Sequence, residues 1–222
     1  MTLPTAPPSV ALNPLAQAVM SDALVALVER GEVRRYRKGT LLIQEGDVGD
    51  TVFIILSGRL RAYSAGENYR EVTYGVYGPG EYIGELNLDG GPRSASVITL
   101  EACQCAVVTR RTLERFIADR PEFAFELLAK GIRRVRAMTM SVRQLALNDV
   151  YGRLKLLLVS LAVAQPGGTL RLGERITHQE MANRLGCSRE MVSRLMKDLE
   201  RGGYIALDAG HYVLARALPQ RW

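Results

Sequence analysis

Histidine is nearly missing from this chain: among 222 residues only His178 and His211 occur, both in the last third. A metal-dependent β-barrel enzyme, or an enzyme with a His-based nucleophilic triad, would place imidazoles in the β-rich part, which has none. The same absence excludes a haem sensor ligated by a β-region histidine. Cysteine is almost as scarce. Cys103, Cys105 and Cys187 are too few for a disulfide framework, which points to a reducing compartment, and no cysteine precedes Cys103 to build an N-terminal iron-sulfur switch. Cys103 and Cys105 stand two apart in a strand-like run and so share a face, where packing is their expected role. Long apolar runs are also lacking. The longest, Leu156 to Ala164 with Ser160 inside, is far short of the roughly 20 residues that a membrane crossing needs. The stretch up to Met20 has no basic segment and is broken by Pro4, Pro7, Pro8 and Pro14, so it does not read as a secretory signal. The expectation is a cytoplasmic protein that uses no metal, haem or iron-sulfur cluster, has no membrane partner and is not an enzyme.

What is present is ordinary globular composition with an uneven charge. Apolar residues make up 47% and charged residues 23%, enough to bury a core. From Met1 to Ile132 there are 14 Lys+Arg against 16 Asp+Glu, or −2; from Arg133 to Trp222 there are 15 against 7, or +8. A polyanion such as DNA is attracted to the second part specifically, although a solvated surface with an excess of arginine would give the same count.

Between Val33 and Val108 short runs of alternating apolar and polar residues are punctuated by Gly46, Gly49, Gly58, Gly66, Gly75, Gly78 and Gly80. This reads as an antiparallel β-sandwich or barrel, with strands expected at Thr51 to Leu56, Arg59 to Ser64, Glu71 to Val76 and Ser94 to Thr99. After Thr109 the period becomes helical, first around Leu113 to Ile117 and then from about Glu122 to Leu147. In the long element Leu128, Ile132, Val135, Thr139, Val142 and Ala146 step by four and three, the spacing of a coiled coil. Core packing inside one domain would give the same stripe, but the arginine-rich remainder favours a dimer seam. Asn148 and Asp149 interrupt this helix and can cap the next, expected from Val150 to Ala164, before a turn at Gln165-Pro166-Gly167-Gly168.

The motif of greatest chemical content runs from Ile176 to Leu199. Thr177 and Glu180 form a capping box, Gly186 supplies a left-handed turn after Leu185, and Ser188 caps a second helix. At 100° per residue Arg189, Glu190, Ser193, Arg194 and Lys197 share one arc, while Met191, Val192, Leu195, Met196 and Leu199 fill the opposite one. Arginine forks to guanine O6/N7 and a carboxylate accepts from cytosine N4, so this arc has the chemistry of major-groove readout. A merely solvated amphipathic helix would share the pattern; the capped helix and glycine turn before it favour DNA. With Thr177, Gln179 and Ser188 these residues make the candidate DNA-binding set. Tyr204 to Leu207, the turn Asp208-Ala-Gly210 and His211 to Leu214 add a hairpin, completing a winged helix-turn-helix.

Cys187-Ser-Arg-Glu-Met-Val-Ser-Arg194, with Leu145-Ala-Leu-Asn-Asp-Val-Tyr-Gly-Arg153, resembles the catabolite activator (cyclic AMP receptor) branch of the bacterial CRP/FNR regulators, from about Val33 onward. The resemblance implies an α+β fold: an N-terminal double-stranded β-helix (jelly-roll) domain of the cyclic-nucleotide-binding type over 1–121, a dimerisation helix over 122–147, and a winged helix-turn-helix over 148–222. It implies that Arg189, Glu190 and Arg194 contact bases of a palindromic double-stranded site with TGTGA-like halves, and that RNA polymerase is a further partner of the homodimer.

Gly84-Glu-Leu86 followed by Gly91-Pro-Arg-Ser-Ala95 resembles the phosphate-binding cassette of cyclic-nucleotide domains. A glycine-rich turn presents backbone N–H groups to an anion, and one arginine can neutralise a cyclic phosphate. A plain β-turn with Arg93 on the surface or paired to Glu85 would give the same spacing. By resemblance, Arg93 and Ser94 would hold the phosphate and Glu85 the ribose 2′-hydroxyl, with Gly84 and Leu86 shaping the cradle. Two departures stand out. Glu85 and Arg93 are closer together than in the catabolite activator, so the small helix between them must be trimmed. On the long helix Arg134 and Thr139 keep the family pattern, but Met138 stands where the activator has threonine, removing a polar partner for the base. Cyclic AMP is the first expectation, cyclic GMP and cyclic di-GMP also fit, and an effector-independent regulator remains open. The rival function is a cyclic-nucleotide module that controls a protein partner rather than DNA.

Overall fold

The computed structural model describes residues 18–66, 71–165 and 168–220. The proline-broken start and Pro166-Gly167 of the expected turn lie outside the described residues. The chain divides into two compact units, the first of residues up to 64 with 73–131, the second of 65–72 with 132 onward.

The first unit is built on β1 (Glu32–Tyr36), β2 (Leu41–Ile43), β3 (Thr51–Ser57), β4 (Leu60–Ala65), β5 (Glu71–Tyr77), β6 (Tyr82–Ile83), β7 (Ser96–Thr99) and β8 (Cys103–Thr109). They form two four-stranded antiparallel sheets, β1-β8-β3-β6 and β2-β7-β4-β5, the β-sandwich of a jelly roll. Strand β3 explains why the two layers need a third. Val52, Phe53, Ile54, Ile55 and Leu56 are all buried, so both faces of the strand must be covered. Phe53 and Ile55 face the sandwich interior with Ile43, Leu60, Ala62, Val97, Cys103 and Cys105. Val52, Ile54 and Leu56 face outward onto helices α1 (Asp22–Val28) and α2 (Arg110–Asp119) through Leu24, Leu27, Leu113 and Phe116. Each such side chain contributes about 1.5–3 kcal/mol of burial. Cys103 and Cys105 therefore pack in the core, and burial pushes the Cys105 thiol up to about 12.

Strand β7 starts at Ser96 rather than at Ser94, because Ser94 is exposed and precedes the pairing of Ser96 with Tyr63. Ser21 and Thr109 cap α1 and α2 by accepting from Leu24 N and Thr112 N. The elbow into α3 (Glu122–Leu147) is an edge-to-face contact of Phe116 and Phe123, centroids 5.2 Å apart. Phe123 is the one fully buried residue of α3. Leu128, Ile132, Val135 and Val142 stay 59%, 43%, 63% and 65% exposed, so among the described residues nothing buries this stripe.

In the second unit Asp149 caps α4 (Val150–Leu161), accepting from Gly152 N at 2.7 Å. The expected helix to Ala164 stops three residues early: Ala162–Ala164 forms β9, paired to β10 (Leu170–Leu172) with Arg171 opposite Val163. Burial of Leu172 (1% exposed) and the Gly173 N–H on Leu161 O (3.0 Å) hold this reversal. Then come α5 (His178–Leu185), α6 (Arg189–Arg201), β11 (Ile205–Asp208) and β12 (His211–Leu214). The wing is a four-stranded sheet, β11-β12-β10-β9, rather than a lone hairpin. One core gathers Tyr151, Leu154 and Leu158 of α4, Met181 and Leu185 of α5, Val192, Leu195, Met196 and Leu199 of α6, and Ile205 and Leu214 of the wing.

Candidate effector and DNA-binding sites

Gly84 takes a left-handed φ of 88° and opens a 3-10 turn over Glu85–Asn87. Only that single turn, continued by Leu88 N on Glu85 O (3.1 Å) and Gly90 N on Asn87 O (3.0 Å), separates Glu85 from the Gly91-Pro92 bend, the trimmed connection that the short spacing requires. A Cβ at Gly84 would stand 2.7 Å from Thr51 O and 2.8 Å from Arg93 Nη1, so a side chain there would fill the cradle.

Arg93 is 7% exposed and held on every side. Its backbone N–H donates to Asp47 O and its carbonyl accepts from Gly46 N, both at 2.9 Å. Nη1 donates to Gly84 O (3.0 Å) and Asn87 Oδ1 (2.9 Å); Nη2 donates to Thr51 O (2.9 Å) and Thr51 Oγ1 (3.0 Å). It is therefore neither a surface arginine nor hydrogen-bonded to Glu85. Burial pushes the guanidinium below the usual arginine range while the nearby Asp50 carboxylate opposes the shift; arginine stays charged at neutral pH regardless. All four Nη hydrogens are thus committed within the cassette, so a cyclic phosphodiester would meet the buried positive charge and the Nε–H, or take the place of one of these acceptors. Glu85 is half-buried, Leu86 is 47% exposed and Ser94 is exposed at the rim. Gly84, Glu85, Leu86 and Arg93 thus surround one turn. Sequence reasoning missed Thr51 and Asn87, which hold the arginine; their separations of 42 and 6 residues carry no periodic signal.

Arg134, Met138 and Thr139 stand together on the α3 portion of the second unit. Arg134 is half-buried, Met138 is 49% exposed, and the exposed Thr139 hydroxyl donates to Val135 O at 3.0 Å.

The helix-turn-helix geometry is local and capped. Thr177 accepts from Glu180 N at 3.1 Å while Glu180 Oε2 accepts from Thr177 N at 2.7 Å, and Gly186 has φ 65° between the two helices. Ser188 accepts from Met191 N at 3.3 Å and starts α6. On α6 Arg189, Glu190, Arg194 and Lys197 are exposed, whereas Val192, Leu195, Met196 and Leu199 are 0%, 7%, 1% and 0% exposed. Arg194 Nη2 lies 2.9 Å from Met191 Sδ. Thr177 and Ser188 are engaged as caps, and Gln179 Nε2 donates to Asn183 Oδ1 at 2.9 Å. Ser193 is half-buried, its hydroxyl 2.9 Å from His178 Nδ1, and His178 Nε2 lies 2.9 Å from the Tyr212 hydroxyl. The contacts of His178 with Ser193 and Tyr212 were not legible in the sequence, because they form only when α5, α6 and the wing close on one another. The Arg153 side chain links the start of α4 to both neighbours, Nε to Leu185 O (3.2 Å) and Nη1 to Asn148 O (3.0 Å).

Residues 33–120 match the model of the cyclic nucleotide-binding domain, and residues 152–217 match the Crp-like helix-turn-helix domain. The chain is 33% identical over 196 residues, 86% of itself and 88% of the relative, to the CRP-like cAMP-activated global transcriptional regulator of Mycobacterium tuberculosis. The chain belongs to the CRP/FNR family. It is 31% identical over 175 residues, 76% of this chain and 82% of the relative, to the cAMP-activated global transcriptional regulator CRP of Escherichia coli. Among solved structures, the c-di-GMP responsive global regulator CLP of Xanthomonas campestris superposes with a TM-score of 0.76 at 25% identity, covering 87% of this chain and 98% of that one. As a CRP/FNR member the chain is an effector-responsive, DNA-binding transcription regulator and not an enzyme. Among its described residues no helix is long and apolar enough to cross a membrane.

Proposed function

We propose that this regulator is a cytoplasmic homodimer, paired through the α3 stripe, that binds cyclic AMP at the Gly84–Ser94 cassette and then reads a palindromic DNA site with Arg189, Glu190 and Arg194. One observation carries the reading: in each unit the chemistry expected for the ligand is built on fixed backbone, a 7%-exposed Arg93 under a glycine turn and an exposed Arg/Glu arc on a helix whose other face is buried. The cyclic AMP choice rests on the two cAMP-activated relatives above. Arg93 and Ser94 would hold the phosphate, Glu85 the ribose, Gly84 and Leu86 the cradle, and Arg134, Met138 and Thr139 the base. Effector on α3 would bias the Asn148/Asp149 junction and reorient the two copies of α6, presenting half-sites one DNA turn apart. Ser193 and Lys197, with Thr177, Gln179 and Ser188 at the helix starts, would flank the base contacts, and RNA polymerase would be the further partner at the promoter.

The loss of a hydroxyl at Met138, together with the Xanthomonas relative, favours cyclic di-GMP as the second reading. Calorimetry of the purified protein against cyclic AMP, cyclic GMP and cyclic di-GMP, with Arg93→Ala as control, tests the effector. Anisotropy with a fluorescent palindromic duplex, at fixed salt and with effector titrated, tests the coupling: operator affinity should rise with effector occupancy. Affinity that stays flat over several decades of effector defeats the coupling. A chain truncated at Asn148 should lose all sequence-specific DNA binding; a module serving a protein partner would keep its binding.

A further inference from the structure

Asn87 has no counterpart among the residues that the sequence assigns to the effector, yet it is 4% exposed and its side chain meets the Arg93 guanidinium. Its Oδ1 accepts from Arg93 Nη1 at 2.9 Å. That orientation is fixed, because a guanidinium offers only donors and the amide must turn its oxygen to it. The other end, Nδ2, is buried and has no acceptor among the described residues. An amide is rigid and small, so Nδ2 lies one amide width from an atom already in hydrogen-bond contact with Arg93. A buried donor without a partner is a cost that native structures rarely leave standing without a reason.

We infer that Asn87 is a phosphate ligand of the effector site: Oδ1 holds Arg93 while Nδ2 donates to a non-bridging oxygen of the effector phosphodiester. This rests on the reading of Gly84–Ser94 as the phosphate cassette. The chemistry of the side chain supports it over a purely structural role. To anchor Arg93 alone, aspartate would serve better, since a carboxylate gives a charge-assisted bond. A carboxylate there would also repel the phosphate. A neutral amide with one N–H left over is the group that fixes a cation and still admits an anion. Thr51 supplies both of its acceptors to the opposite nitrogen, Nη2, so Arg93 keeps its place while Asn87 serves two partners.

The test is calorimetric titration of cyclic AMP, and of its two phosphorothioate diastereomers, into the full-length protein, Asn87→Ala and Asn87→Asp. Sulfur accepts hydrogen bonds poorly, so replacing the oxygen that Nδ2 contacts should weaken binding to the wild-type protein. The expected result is about tenfold weaker cyclic AMP binding by Asn87→Ala, the worth of roughly one hydrogen bond to a charged group, with discrimination against one diastereomer reduced by a similar factor. Asn87→Asp should bind more weakly still, although its carboxylate continues to hold Arg93. A structural role alone would leave thio discrimination unchanged in Asn87→Ala and would make Asn87→Asp the better binder; either result overturns the inference. If the wild-type protein binds no cyclic nucleotide at all, the effector reading falls and takes this inference with it, an outcome separate from selective failure of the variants. The ligand-free thermal midpoints of the three proteins identify any variant that fails to fold, and Asn87→Ser, which keeps one short donor, should then recover part of the lost affinity; no recovery counts against the inference.

Discussion

His178 Nδ1 lies 2.9 Å from Ser193 Oγ, which ties the first residue of α5 to the exposed arc of α6. The same ring reaches the Tyr212 hydroxyl of β12 at 2.9 Å, so one imidazole joins the helix-turn-helix to its wing. His178→Ala leaves both hydroxyls without this partner. It should destabilise the second unit by about 1–3 kcal/mol, read by urea unfolding, and weaken operator binding because wing and helix no longer move as one. Ser193→Ala, which removes one bond only, should cost less on both measures.

The Thr177–Glu180 capping box satisfies donors that α5 would otherwise expose at its start. Thr177→Ala should cost about 1 kcal/mol of unfolding free energy. Thr177→Ser should restore it. Both variants should retain the operator sequence preference of the parent, because Thr177 flanks the base contacts and makes none itself.

Val135 is 63% exposed in the protomer, in the middle of the α3 stripe. Val135→Glu places a charge in the seam of a dimer and leaves the protomer's own packing untouched. Sedimentation should show the mass shifted to that of a monomer, with far-ultraviolet circular dichroism unchanged. A dimer of undiminished stability would place the interface elsewhere.

Arg189 and Lys197 share the polar arc of α6 but sit at its opposite ends. Arg189→Ala should cost about 1–3 kcal/mol on the preferred operator and relax selectivity at one base position. Lys197→Ala should weaken all duplexes nearly alike and reduce the slope of log affinity against log salt by about one. Competition binding against operators with single base changes separates the two behaviours.

Alkaline stability follows from the buried thiols and phenols. Burial raises Cys105 from the ordinary 9.0 to about 12, and raises Cys103, Tyr36, Tyr151 and Tyr212 in the same direction. A group whose folded pKa lies above its unfolded value gives a contribution fully present below the unfolded value and lost as pH rises toward the folded one. Unfolding free energy should therefore decline above about pH 9, and Cys105→Ala should make that decline shallower. Folded protein at pH 8 should resist iodoacetamide at Cys105.

The elements with strong local grammar were legible in the sequence alone. Thr177, Glu180, Gly186 and Ser188 announce both helices of the DNA-binding motif, because caps and left-handed turns act within a few residues. The exposed apolar stripe of α3 was legible for a similar reason: its four-three spacing repeats along one helix. The strand Ala162–Ala164 was not, since alanine and valine after a helix give no stop signal and only pairing with Leu170–Leu172 ends it. The grip of Thr51 and Asn87 on Arg93, and of His178 on Ser193 and Tyr212, was equally hidden. These are single side-chain contacts between segments, and they leave no period behind.

By itself the amino-acid order determined the kind of protein this is, because helix caps, the two-residue and seven-residue periods and the placement of charge are local properties of the chain. Only the folded structure decided that Arg93 is a buried, internally held cation, that Ser193 is engaged by a histidine, and that Asn87 Nδ2 is buried with no acceptor among the described residues. Those facts depend on which distant backbone and side-chain atoms meet after the layers close, a matter of long-range packing that no local pattern encodes.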